Sequence, residues 1–177
     1  MRNTKLRRAD VLKIIDMPAR PFDAMLSREQ VPWPRRDPGR GWGQFSTEDA
    51  YRVALAHALV RQGRNYEEAG AAVRRDFDEL VNVECSDLGD LLLGYFITET
   101  EPNEEDGVRL HLSVVAPQSI WFDEVARVKS VVGENDSLIA FSAVNATAVM
   151  RRTLAKAELA GLVDDRLLDL AAKVRAV

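Results

Sequence analysis

Cysteine is all but missing. Cys85 stands alone among 177 residues, so the chain can build neither a disulfide framework nor a cysteine-based metal site. Histidine is almost as scarce. His57 and His111 lie far apart and show none of the ligand spacing that a metal centre needs. Both read as scaffold or bystander side chains. No apolar run reaches the roughly 18 residues of a membrane span. The basic start, MRNTKLRRAD, lacks the apolar stretch of an export signal. A cytoplasmic protein is expected. The glycosylation pattern Asn145-Ala146-Thr147 then has no consequence. The acidic run from Glu99 to Asp106 lacks calcium-loop spacing and reads as a solvated turn. No nucleophile, base and orienting group can be assembled, so neither an enzyme nor a cofactor is expected.

Proline and glycine are sparse and unevenly spread. Three of the seven prolines and three of the ten glycines fall in residues 31–46, VPWPRRDPGRGWGQFS. Proline lacks a backbone donor and locks φ, so this stretch is neither a regular helix nor a central strand. A phosphate loop would need a strand before its glycines and a helix with Lys-Ser/Thr after them, and neither is present. Charge is also uneven. Residues 1–45 hold ten Lys/Arg against five Asp/Glu, whereas the rest hold fourteen against twenty-three, for a net charge of −4. The basic end is suited to a polyanion and the acidic end is not.

Local patterns around the basic stretch are helical. RADVLKII (8–15) is a short amphipathic segment broken at Asp16-Met17-Pro18. Pro21 then opens PFDAMLSREQ, which buries Phe22, Met25 and Leu26 and exposes Asp23, Ala24, Ser27 and Arg28. Ser46 caps TEDAYRVALAHALVRQ, Gly63 ends it, and Asn65 caps a fourth helix carrying Ala69, Val73, Phe77 and Leu80. Two short helices and a tight turn make a helix-turn-helix, and the Arg/Gly stretch stands where its β-hairpin wing belongs. Trp33 and Trp42 would pin such a wing to the body, leaving its arginines to reach phosphates.

After residue 82 the texture changes. LLLGYFITE (91–99) and VRLHLSVVA (108–116) predict a β-hairpin, the second strand with one wet face; 120–132 is ambiguous, and 137–144 predicts a strand. Two helices close the chain, the first from Asn145 to Gly161. The expected fold class is α+β: an N-terminal winged helix-turn-helix of four short helices and a wing (1–81), then a small α+β domain (82–177) for dimerisation or for a partner or effector.

Over residues 6–78, the order helix, turn, helix, arginine-rich hairpin, then Phe45-Ser46-Thr47-Glu48-Asp49, Leu59, Gly63 and Tyr66-Glu67-Glu68 resembles the DNA-binding domain of MerR-type winged-helix regulators. Asp23-Ala24-Met25 stands where that family usually carries an arginine and paired tyrosines, and the family's long coiled-coil helix is missing. The same module occurs in phage excisionases and small terminase subunits. The resemblance implies sequence-specific binding of double-stranded DNA, with transcriptional regulation by a nucleoid-associated homodimer as the leading expectation. A phage packaging or recombination factor, or a protein-interaction module without DNA binding, are the alternatives. The expected DNA contacts are Arg20, Ser27 and Arg28 on the second helix, Arg35, Arg36 and Arg40 on the wing, and Lys5 and Arg7 on the N-terminal arm.

Overall fold

The computed structural model describes residues 4–15, 17–34, 44–83, 89–100, 109–131 and 136–174. The architecture is α+β, with seven α-helices and one three-stranded antiparallel sheet among the described residues. Four helices come first: α1 (Arg8–Ile14), α2 (Ala19–Ser27), α3 (Thr47–Val60) and α4 (Tyr66–Asn82). Three of their boundaries follow from capping chemistry. The side chain of Ser46 accepts the Asp49 N–H while Asp49 Oδ2 accepts the Ser46 N–H at 2.7 Å, which makes a reciprocal capping box at α3. Asn65 Oδ1 accepts the Glu68 N–H at 2.9 Å at the start of α4. Gly63, at φ +94°, makes the left-handed turn between α3 and α4. Helix α2 starts earlier than Pro21 suggests. Pro18 stands at its N-cap, and Pro21 falls in the first turn, where its missing N–H has no helical partner to lose.

The sheet comprises β1 (Leu91–Thr100), β2 (Arg109–Pro117) and β3 (Asp136–Asn145), in the order β2-β1-β3. The ambiguous segment after β2 is helix α5 (Trp121–Val131) behind a short 3-10 turn. Helices α6 (Ala146–Leu159) and α7 (Asp165–Lys173) end the chain. Alternation splits the strands cleanly. Leu91, Leu93, Tyr95, Val115 and Val144 join the main core with the helices, while Leu92, Phe96, Leu112, Val114 and Ala116 pack on the other face with Trp121 and Val128 of α5. The expected wet face of β2 is therefore covered at Ser113: its Oγ bonds the buried Asp76 carboxylate of α4, and Arg75 reaches the same hydroxyl. A polar residue there reflects a buried partner rather than solvent.

The main core runs without interruption from Leu6 to Val174. Helix α6 packs against α1, α3 and β1, and α7 against α3 and α4. Buried polar contacts join the same elements. Tyr51 of α3 donates to the Ala146 carbonyl at 3.1 Å, and burial pushes its phenol far above the ordinary range. Asp164, the N-cap of α7, accepts the Leu167 N–H, the Thr47 hydroxyl at 2.8 Å and the Thr4 N–H at 2.9 Å. The Asn145-Ala146-Thr147 pattern has a structural cause as well. Asn145 caps α6, and the buried Thr147 hydroxyl accepts the Leu91 N–H and donates to the Val174 carbonyl.

Candidate nucleic-acid interface

The two ends of the Arg/Gly stretch meet at one point on the body. Val31, Pro32 and Trp33 are buried at its start, and Phe45 is buried at its end. The rings of Trp33 and Phe45 meet edge-on with centroids 5.9 Å apart, and Phe45 packs on Phe22 of α2 at 5.7 Å. Backbone bonds lock the second foot: Leu6 and Phe45 form an antiparallel bridge with N···O distances of 2.7 and 2.9 Å. Helix α4 holds the first foot. Arg74 donates to the Val31 carbonyl, and Gly70 lies so close that a Cβ there would stand 2.8 Å from the Gln30 carbonyl oxygen. The bridge also sets Lys5 and Arg7, both exposed, on either side of Leu6 beside that foot.

Helix α2 runs alongside. Arg20 and Ser27 are exposed one heptad apart, and Arg28 is exposed at the C-cap. Asp23 lies between Arg20 and Ser27 on the same face. Its carboxylate is gripped by Arg8 of α1 through two bonds of 2.6 and 2.7 Å, a bidentate pair in the open. Hydrogen bonds from Arg8 hold the Asp23 carboxyl below its ordinary value of 3.8. The acid is thereby neutralised locally, and α1 is tied to α2. Among described residues 4–34, the cations Lys5, Arg7, Arg8, Lys13, Arg20 and Arg28 outnumber Asp10, Asp23 and Glu29.

Five of the eight expected contact residues are thus exposed in two neighbouring groups: Lys5 and Arg7 beside the foot at Phe45, and Arg20, Ser27 and Arg28 on α2. The wing arginines Arg35, Arg36 and Arg40, together with Trp42 and Cys85, lie outside the described residues. Sequence reasoning missed Arg8, Gly70 and Arg74. Arg8 and Asp23 are 15 residues apart on separate helices, and no local periodicity couples them. His57 is half-buried, with Nδ1 3.0 Å from the Tyr66 hydroxyl and the two rings stacked, a contact that joins α3 to α4. Among the described residues, no group of three His, Cys, Asp or Glu is arranged to hold a metal, and no helix is long and apolar enough to cross a membrane. No protein-family model matches the chain, and no curated protein shows significant similarity to it.

Proposed function

We infer that the protein is a sequence-specific double-stranded DNA-binding protein, a transcriptional regulator that acts as a homodimer. Its N-terminal part reads as a MerR-like winged helix-turn-helix. The observation that carries this reading is the double footing of the Arg/Gly stretch. Trp33 and Phe45 stand ring to ring, so the two ends of the segment that carries Arg35, Arg36 and Arg40 are held together. That closure is what a wing requires. It stands next to α2, where Arg20, Ser27 and Arg28 are exposed, and next to Lys5 and Arg7. Arginine forks suit phosphate oxygens, and phosphate contacts supply most non-specific affinity. Dimerisation through the 82–177 part supplies the second half-site that one short module lacks.

Titration against random and genomic duplex at two salt concentrations tests the reading. Binding is expected at low salt, with affinity falling steeply as salt rises. Absence of binding at low salt, or binding insensitive to salt, sinks it. Replacing Arg35, Arg36 and Arg40 together with alanine is expected to weaken binding and to flatten the log-log salt slope by about 2–3. Unchanged affinity in that folded variant removes the wing from the interface.

A further inference from the structure

A cleft of about 310 Å³ opens where the C-terminal end of α3, the last residues of β3 and the first turns of α6 meet. That volume is at the small end of the roughly 300–1,000 Å³ typical of small-molecule sites. Arg61 and Arg152 line it from α3 and α6, with Gln62 beside them and Ala58, Ala148 and Val149 forming an apolar floor. Arg8, Arg52, Arg75, Arg127, Arg151 and Arg166 all pair with carboxylates. Arg61 and Arg152 are exposed and have no partner among the described residues, although the chain is acidic overall.

The Ala148 N–H at the α6 terminus is already bonded to Asn145 Oδ1 at 2.7 Å, so the helix end is not the anion-binding element; the guanidinium groups are.

β3 is an edge strand, which raises the question of what covers it. Two guanidiniums flanking that edge disfavour a symmetric second copy, because it would bring like charges together. They favour a dianion. We propose that this cleft binds a small phosphate monoester, its phosphate held between Arg61 and Arg152 and its compact apolar body seated on Ala58, Ala148 and Val149. A monoester carries close to two negative charges at neutral pH, and arginine engages phosphate through its fork. The site is independent of the DNA reading and stands or falls separately.

Calorimetric titration with phenyl phosphate, inorganic phosphate, phenol and benzoate tests it on the full chain. Phenyl phosphate is expected to bind saturably and about tenfold or more tighter than each of the others. Arg61→Ala combined with Arg152→Ala is expected to lower that affinity about tenfold or more at an unchanged melting temperature, whereas Arg20→Ala with Arg28→Ala leaves it intact. Four results overturn the proposal: no saturable binding, benzoate or inorganic phosphate binding as well as phenyl phosphate, equal affinity in the Arg61/Arg152 variant, or displacement of phenyl phosphate by random duplex. The last would assign these arginines to nucleic acid instead.

Discussion

Asp23 occupies a position that would repel phosphate, between Arg20 and Ser27 on α2. Its pairing with Arg8 cancels that repulsion and at the same time takes one cation out of use. Asp23→Asn should therefore free Arg8, raise affinity for random duplex roughly three- to tenfold at low salt, and steepen the log-log salt slope by about 0.9. Equal binding by this variant and the natural protein would show that α2 faces away from DNA. A second carboxylate behaves in the opposite way. Burial pushes Asp76 above its ordinary 3.8, against the downward pull of Arg75. A raised folded value means a contribution to stability that is complete below 3.8 and is lost as pH climbs through the raised value. Asp76→Asn should flatten the stability profile over that window and leave the melting temperature unchanged or higher near pH 7. Melting curves on both proteins from about pH 4 to 7 check the sign. A clear loss at neutral pH would mean that the bonds from Arg75 and Ser113 outweigh burial.

At the scale of elements, the covering of both sheet faces is the least expected feature. α5 lies on the outer face because Gly94 of β1 leaves room for the Trp121 ring, which also stacks on Phe96 with centroids 6.0 Å apart. A Cβ at Gly94 would overlap that ring. Gly94→Ala is thus expected to cost about 1–3 kcal/mol by overpacking, with part of the loss recovered when Trp121 is shortened to leucine. Urea denaturation of the two variants measures it, and a neutral Gly94→Ala would show that α5 is not seated there. Much at this scale could be read from the chain. Caps at Ser46 and Asn65, the glycine after α3 and the alternation in β1 and β2 are short-range signals, and the elements follow them. The segment 120–132 could not be read. Its apolar residues suit either period, and only Trp121 packing against Gly94 selects the helix.

For the molecule as a whole, the sequence suggests a boundary at 81/82, where helices give way to strands. Packing does not pause there. Tyr51 and Thr47 of α3 bond to Ala146 and Asp164, and Thr4 of the N-terminal arm reaches the same Asp164. A fragment of residues 1–81 would expose the α3 surface that α6 and α7 cover, including Tyr51 and Leu55, both fully buried in the intact chain. It is expected to lack a cooperative thermal transition by circular dichroism, whereas the full chain melts in one step. A fragment that folds and binds duplex as the full chain does would make the boundary real.

The candidate interface divides along the same line. The sequence by itself determined most of the helical segments, the caps that start α3 and α4, and that basic residues gather in the first 45. Those are local matters of capping, period and charge. Tertiary structure alone decided that Trp33 meets Phe45, that Leu6 bridges to Phe45, that Arg8 silences Asp23, and that Arg61 and Arg152 share a cleft. Each of these joins residues remote in the chain, and such pairs are set by the shape and complementarity of packed surfaces, to which no run of neighbouring residues holds the key.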